Sequence, residues 1–254
     1  MINQQEIKRT LNILEKEINE TNSLDAKSDY VKQSYLYYPD DKDEQTYINN
    51  KCIQYLQDLI DEDYDPMWSR FYLAQDLMSF DKSNNQIIKL FKEVIDDERS
   101  KINDTCYIAL HHLGCCYRDG IGTDVDYKKA IECFDEIIKA SDMADPYIEL
   151  GDMYLNGQYF EKDYNKAFEC YQKAYDKTIE YPSVVDNRRC ARARSLHQIG
   201  KCFLEGYSVK KDPEKAIDYF EDCEEIFNVS HWYDIEMNIN DAFLEWNYNV
   251  RENL

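Results

Sequence analysis

All seven glycines of this 254-residue chain fall in one pattern that occurs three times. In each copy a glycine follows Leu or Ile, an aromatic residue comes three positions later, and a second glycine comes six positions later. The copies start at Gly114, Gly151 and Gly200, and the seventh glycine, Gly122, lies in the loop of the first copy. Such a register indicates an internal repeat, which constrains the fold before any other feature does.

Other positions keep the same register and predict two helices in each copy. A glycine inside a helix costs about 1 kcal/mol relative to alanine, so three equivalent first glycines predict close contact with a neighbouring helix. The second glycine predicts a left-handed helix end, and the Asp at +12 predicts the N-cap of the next helix. Counted from the first glycine, the repeated residues are Asp126, Asp163 and Asp212 at +12, Lys129-Ala130, Lys166-Ala167 and Lys215-Ala216 at +15 and +16, and Phe134, Tyr171 and Phe220 at +20.

This pattern resembles the SEL-like repeat, a relative of the tetratricopeptide repeat with a longer internal loop. The resemblance covers about residues 105–226 and implies an all-α fold, an α-solenoid in which antiparallel helix pairs form a right-handed superhelix. Two departures stand out. The Gly-x-Gly loop occurs only in copy one, and about twelve extra residues separate copies two and three, which places an insertion near 178–190.

The flanking residues are predicted to extend the same continuous solenoid. Residues 1–67 form an N-terminal helical cap, with apolar stripes around Ile7–Ile18 and Ile48–Leu59. Residues 68–104 resemble a degenerate tetratricopeptide-like repeat. Residues 227–254 carry apolar side chains at helical spacing and are predicted to form a C-terminal capping helix, because the last repeat of a solenoid otherwise exposes its core face.

Composition narrows the classes of partner and compartment. The net charge of −21 disfavours nucleic acids and anionic membranes, since phosphates would be repelled, and favours a protein partner. The chain has no apolar run long enough to span a membrane, and its start lacks the apolar stretch of a signal peptide, so a cytoplasmic protein is expected. In that compartment the nine cysteines are predicted to be reduced and mostly packed thiols.

No catalytic arrangement emerges from the sequence, so neither an enzyme nor a bound cofactor is predicted. His111 and Cys115 have the spacing of half a metal site, but no further ligand pair accompanies them and no metal is predicted. The loop around Gly120 and Gly122 lacks the lysine and the preceding strand of a phosphate-binding loop.

The family resemblance implies that the first helix of each pair lines a concave groove that binds a peptide. Carried over by position, the predicted lining is Trp68, Phe71, His111, Cys115, Arg118, Ile148, Asp152, Leu155, Arg194, His197, Lys201 and Leu204.

One segment departs from the acidic character of the chain. Residues 151–200 hold 8 basic and 7 acidic side chains, and the excess comes from Arg188, Arg189, Arg192 and Arg194. Two interpretations remain open. These arginines form salt bridges with acidic helices of the same chain, or they form a patch that binds a carboxylate or phosphate of a partner.

Two functional hypotheses follow. The first is a non-enzymatic interaction module, a scaffold, adaptor or regulator, that binds a peptide or domain in its groove. The second is an inhibitor or immunity protein whose acidic surface neutralises a basic toxin or nuclease. The first depends on groove side chains, and the second on long-range charge, which salt screens.

Overall fold

The computed structural model describes residues 3–102, 104–180 and 186–229, with the backbone alone described at 180, 186–188 and 227–229. Within these ranges the chain is helical, with turns between helices and no strand, which confirms the all-α prediction. None of the helices in this part of the chain combines the length and the apolar character needed to cross a membrane.

Twelve helices occur in the described residues and group into two compact units, residues 1–126 and 127–254. The division falls inside copy one of the repeat. The helices are α1 (Gln4–Thr21), α2 (Leu24–Ser34), α3 (Lys42–Asp61), α4 (Pro66–Phe80), α5 (Gln86–Asp96), α6 (Glu98–Ile102), α7 (Thr105–Asp119), α8 (Tyr127–Ala140), α9 (Asp145–Asn156), α10 (Tyr164–Glu180), α11 (Asp186–Glu205) and α12 (Pro213–Val229).

In the first unit, helices α1 to α5 pack against one another in chain order, and α5 also packs against α7. Both stripes predicted in residues 1–67 form helices, α1 and α3, but the sequence did not predict α2 between them. The buried side of α2 includes Lys27 and Ser34 beside Tyr30 and Val31. The Lys27 Nζ lies 2.7 Å from an Asp58 carboxylate oxygen, so a charged side chain occupies a core position and weakens the apolar periodicity.

In the second unit, α8 to α12 pack in chain order, and the repeat glycines make the predicted close helix contacts. A Cβ atom added at Gly151 would lie 2.5 Å from Cε1 of Tyr171, and one added at Gly200 would lie 2.5 Å from Cε1 of Phe220. Both rings are fully buried. The aromatic residue at +20 therefore lies on the first glycine of its own copy, and the absence of a side chain there makes room for the ring.

The helix ends also form as predicted. The second glycines Gly120, Gly157 and Gly206 have φ of 71°, 71° and 78°, in the left-handed region that favours glycine. At the next helix the Asp163 carboxylate accepts a hydrogen bond from the Lys166 backbone N–H at 3.0 Å. The equivalent bond from the Lys215 N–H to Asp212 measures 3.1 Å. In all three copies the backbone N–H of the +12 Asp also donates to the carbonyl of the +3 aromatic residue, which closes the loop.

The loss of the second loop glycine in copies two and three leaves the backbone conformation unchanged. Gly122 has φ of 66°, and the equivalent residues Tyr159 and Ser208 have φ of 65° and 63°. In copy one the Gly122 N–H donates to the Lys82 carbonyl at 2.7 Å, which holds the loop close to residues 82–84. An added Cβ would lie 2.7 Å from the Asn84 carbonyl oxygen, so this position requires glycine.

The extra residues between copies two and three mainly lengthen helices. α9 begins six residues before its first glycine, whereas α11 begins fourteen residues before its own. Residues 181–185 of the predicted insertion lie outside the described residues. At the C-terminal end α12 continues to Val229, and the rest of the predicted capping helix also lies outside the described part.

The cysteines are free thiols, and six of the nine are buried: Cys52, Cys106, Cys116, Cys133, Cys202 and Cys223. Burial raises the pKa of Cys52, Cys202 and Cys223 to about 12. These thiols stay protonated at neutral pH and serve as small core side chains, as predicted.

The glycine contact predicts the effect of one methyl group. Gly151→Ala should lower the free energy of unfolding by about 1–3 kcal/mol, although alanine is the better helix former by about 1 kcal/mol. The Tyr171 ring is enclosed and its hydroxyl donates to Asp152 at 2.7 Å, so it has little freedom to move away. Urea denaturation measures the effect, and Gln172→Ala, at an exposed position of α10, serves as the control. A Gly151→Ala variant as stable as the parent would contradict a tight contact.

Candidate partner-binding surface

Alternate helices lie side by side in each unit. In the first unit the hydroxyl of Tyr35, the residue that follows α2, is 3.1 Å from both carboxylate oxygens of Asp76 in α4. Farther along α4, Gln75 Nε2 lies 3.2 Å from His112 Nε2 of α7. In the second unit, the guanidinium of Arg194 in α11 donates hydrogen bonds to Asp145 and Glu149 of α9. We refer to α2, α4 and α7 of the first unit and α9 and α11 of the second as the inner helices. The predicted groove residues all lie on inner helices.

Eight of the predicted groove residues are half-buried and keep part of their side chains accessible. They are Trp68, His111, Cys115, Arg118, Asp152, Leu155, Arg194 and Lys201.

The other four predicted groove residues are buried and offer a partner little surface. Phe71 (6% exposed) packs against Phe91 and His112, and Ile148 (0%) belongs to the core of the second unit. His197 (7%) lies against the Phe220 ring, and Leu204 (8%) packs in the same cluster. Positional transfer places these side chains on the surface, but the helix packing turns them inward. In the structure these four side chains are buried in the packed interior of their units.

Arg194 joins α11 to α9 through two ion pairs. One guanidinium nitrogen lies 2.7 Å from a Glu149 carboxylate oxygen and the other 3.2 Å from Asp145. Burial by itself lowers the pKa of the guanidinium, but the charges of Glu149 and Asp145 outweigh it and raise this pKa above its ordinary value. For Arg194 the structure supports the interpretation of salt bridges within the chain.

The remaining arginines of the predicted patch differ from Arg194. Arg192 is exposed, and its guanidinium carbon lies 5.9 Å from the centre of the Tyr175 ring, within cation–π range. Arg189 is half-buried, and the side chain of Arg188 lies outside the described residues. Arg192 and Arg189 are thus the members of the patch that the structure leaves accessible to a partner.

Asp152 connects three helices of the second unit. Its Oδ1 accepts hydrogen bonds from the Tyr171 hydroxyl of α10 at 2.7 Å and from Gln198 Nε2 of α11 at 2.9 Å. This carboxylate therefore couples the repeat core, through the ring that contacts Gly151, to the surface between α9 and α11. The sequence predicts Asp152 as a contact residue but gives no sign of these bonds.

Asp76 is a buried carboxyl group between the inner helices of the first unit. Burial raises its pKa from 3.8 to about 7, and the hydrogen bond from Tyr35 opposes this effect only in part. The Tyr35 pKa is also raised, by burial and then by the Asp76 charge. The Asp76–Tyr35 pair was not predicted, because neither residue belongs to a repeated position.

His111 and Cys115 lie on the same face of α7, as their spacing predicts. The His111 Nε2 is 3.8 Å from the Cys115 Sγ, a distance within the range of a weak hydrogen bond to sulfur. The pair alone supplies two of the four ligands of a structural zinc site.

The first unit also holds a cavity that the sequence did not reveal. It is lined by side chains of α2, α3 and α4 and has a volume of about 260 Å³. Its lining includes Val31, Leu56 and Leu59 together with Trp68, the only one of these predicted as a contact. The sequence did not predict this cavity because α2, which forms part of its lining, was not evident from the apolar periodicity.

Comparison with protein families finds the Sel1 repeat at residues 108–142, 147–178 and 193–221. These segments coincide with the three copies of the glycine pattern. No curated protein sequence matches the chain.

Several solved structures are similar to the chain. A Sel1 repeat protein from Oxalobacter formigenes has 20% identity and a TM-score of 0.49, with 72% of this chain and 68% of that chain covered. c5321, described as a protective antigen of uropathogenic Escherichia coli strains displaying an SLR fold, has 15% identity and a TM-score of 0.43, with 85% and 48% covered. MamA has 20% identity and a TM-score of 0.44, with 75% and 96% covered.

The ion pairs of Arg194 predict a structural role for this residue. Arg194→Met should lower the free energy of unfolding by about 2–3 kcal/mol. This is at the low end for a broken buried pair, because about a quarter of the Arg194 side chain is exposed. Arg192→Met, two positions away at an exposed site, is the control and should change stability by less than about 0.5 kcal/mol. Urea denaturation checks both, and equal stability of the two variants would contradict the role assigned to Arg194.

The raised pKa of Asp76 predicts that Asp76→Asn increases the free energy of unfolding and that the increase depends on pH. The pKa of Asp76 is higher in the folded state than in the unfolded state. The folded protein therefore loses stability as the pH rises from about 4 to about 7 and the buried carboxyl group ionises. Asparagine stays neutral and still accepts the Tyr35 hydrogen bond. The gain in unfolding free energy should therefore be larger at pH 8 than at pH 4.5, by about 3 kcal/mol.

The control for this experiment is Asp81→Asn, at the C-terminal end of the same helix. Hydrogen bonds from Ser83 and Asn84 lower the Asp81 pKa below its ordinary value of 3.8, so the contribution of the ionised group is already present at pH 4.5. The variant should therefore lose about the same stability at pH 4.5 and at pH 8. Urea denaturation at the two pH values measures both variants. The same pH dependence in both would show that the effect does not come from burial of Asp76.

Proposed function

Over residues 108–221 the chain is a SEL-like repeat protein, and we propose that it is a non-enzymatic adaptor or scaffold whose inner helices bind a partner peptide or domain. Sel1 repeats are generally protein-interaction modules. The proposal names the inner helices as the binding surface because they carry the accessible side chains that differ from copy to copy.

The observation that carries this proposal is a contrast between two sets of positions. The recurring residues make the fold: left-handed helix ends in all three copies, and glycines against rings and aspartate caps in copies two and three. The half-buried residue one position after the first glycine is Cys115, Asp152 or Lys201, which differ in size and charge. The contact between the glycine and the ring occurs with Asp152 at this position in copy two and with Lys201 in copy three, although Asp152 also bonds to Tyr171 and Gln198. The variety at this position is typical of a surface adapted to a partner rather than to the fold.

The second unit offers the clearest candidate contacts. Asp152, Leu155 and Lys201 are half-buried on α9 and α11, and together they supply an acidic, an apolar and a basic side chain. Such mixed character is usual for non-obligate protein interfaces, where affinity comes from a few well-placed residues. The arrangement supports recognition of a peptide by several contact types, with Arg194 holding the two helices together.

An acidic inhibitor of a basic toxin or nuclease is the second candidate, and the charge distribution favours it. Residues 1–126 hold 25 acidic and 14 basic side chains, and residues 127–254 hold 26 and 16. Each unit is therefore acidic by itself, so a basic partner would be attracted to either one.

Capture of partners from the native host tests the proposal. The full-length chain and its Lys201→Glu and Leu155→Glu variants serve as baits, and mass spectrometry identifies the captured proteins. We expect the specific partner of the parent to be reduced at least about tenfold with either variant, since contact residues near the centre of an interface typically contribute more than 1 kcal/mol.

The matched control is Lys173→Glu, the same charge reversal at an exposed position of α10, which is not an inner helix. A partner lost equally with Lys173→Glu would place binding outside the inner helices. The salt dependence of the purified complex separates the two candidates. Strong weakening between low and physiological salt supports the acidic inhibitor, and weak dependence supports the adaptor.

A further inference from the structure

The cavity of the first unit lies outside the three Sel1 repeats, on inner helices α2 and α4. Leu56 and Leu59 of α3, each 2% exposed, form its apolar floor beside Val31. Trp68 and Tyr72 form one wall, and their rings are stacked with centroids 6.1 Å apart and planes 26° apart. The result is an aromatic and aliphatic depression among helices that are otherwise rich in charge.

Bonds between helices hold the walls of this cavity in place. The Lys27 ammonium group of α2 donates a hydrogen bond to the Asp58 carboxylate of α3, and the Tyr64 hydroxyl donates one to the Asp25 carboxylate of α2. One turn beyond Tyr72, Asp76 accepts the hydrogen bond from Tyr35 and links α4 to α2. Since these bonds join every helix that lines the cavity, its shape is present before a ligand arrives. Preorganisation of this kind reduces the entropy cost of binding.

The size of the cavity limits what it can hold. A dry cavity of about 150 Å³ accommodates a benzene molecule, whereas sites for drug-sized ligands usually measure about 300–1,000 Å³. At about 260 Å³, this cavity has room for one large side chain such as that of Phe, Leu or Trp. It is smaller than the usual site for a whole small-molecule ligand, so an anchoring side chain of a polypeptide is the better fit.

The charge beside the cavity selects the type of polypeptide. The two segments that flank it, residues 23–34 and 58–69, hold seven acidic side chains and two lysines. Lys27 is paired with Asp58, and Lys32 lies 3.6 Å from Asp29. Two charged residues contribute to the lining itself, Lys32, whose charge Asp29 offsets, and Asp65, and both are exposed. The excess of negative charge next to an apolar cavity complements a large apolar side chain flanked by Lys or Arg.

We propose that this cavity is an anchor site for one bulky apolar side chain of a basic peptide segment in a partner protein. The inference rests on the proposed function, because it assumes that the inner helices bind a polypeptide. It goes further by naming the class of sequence recognised and a site in the part of the chain that the Sel1 repeats do not cover. The apolar side chain enters between Val31 and Trp68, and a flanking basic residue lies near Asp65.

Selection of peptides tests this proposal without knowledge of the partner. A phage-displayed library of short random peptides is selected against the full-length chain, and the enriched peptides are synthesised for calorimetry. We expect enriched sequences to share one Phe, Trp or Leu flanked by Lys or Arg. Replacement of that apolar residue by Ala in the peptide should weaken binding at least about tenfold, since burying such a side chain contributes about 1.5–3 kcal/mol.

Protein variants then locate the bound peptide. Ser28→Phe fills the cavity from α2 and should weaken binding at least about tenfold. Ser79→Phe, the same change at an exposed position of α4 outside the lining, should leave affinity unchanged. Asp65→Asn should weaken binding moderately and reduce its salt dependence. Asparagine suits this position because Asp65 has φ of 43°, in the left-handed region that Asn tolerates. Circular dichroism verifies the fold of each variant.

Each outcome decides the matter. Enriched peptides that bind Ser28→Phe as tightly as the parent would overturn the anchor site and leave the proposed function standing. Enriched peptides with acidic or entirely polar sequences would do the same. Failure to enrich any peptide would count against both the anchor site and the proposed function. If Ser28→Phe does not fold, the alanine substitution in the peptide still tests the proposal, because it leaves the protein unaltered.

Discussion

In copies two and three, the contact between the first glycine of the repeat and the aromatic ring twenty positions later sets the distance between the two helices of that repeat. Tyr171 lies directly on Gly151, and Phe220 lies on Gly200, at a separation that excludes even a methyl group. The adjoining structure depends on this distance. In copy two, the same Tyr171 donates to Asp152, which in turn accepts from Gln198 of the next inner helix. A packing constraint in the core thus positions side chains on the surface.

The repeats were predictable from sequence because their determinants are local and recur at fixed offsets. A glycine inside a helix, a glycine at its end and an aspartate cap each have one dominant physical explanation, and three occurrences exclude coincidence. Helix α2 has no such determinants. Its buried side mixes Tyr30 and Val31 with Lys27 and Ser34, and the burial of Lys27 depends on Asp58, thirty-one residues away. Tertiary pairing of this kind leaves no periodic signal in the sequence.

The candidate binding surface was predictable only in outline. The residues predicted by position lie on the inner helices, but transfer by position does not resolve which side of a helix packs inward. It therefore includes Ile148 and His197, which are buried. Arg194 shows the same limit, because a charge excess in the sequence does not reveal whether carboxylates of the same chain satisfy it. The cavity was unpredictable for a third reason, since its lining comes from three helices and one of them was missed.

The loops of copies two and three show that a backbone conformation can persist where the residue best suited to it is gone. Tyr159 and Ser208 adopt the left-handed conformation of Gly122 although a side chain makes it unfavourable, by about 1–2 kcal/mol for each residue. The strain is held by the hydrogen bonds that close each loop. Relief of this strain would raise the stability of the protein, so the turns that follow α9 and α11 are where an engineer seeking a more stable binding scaffold would begin.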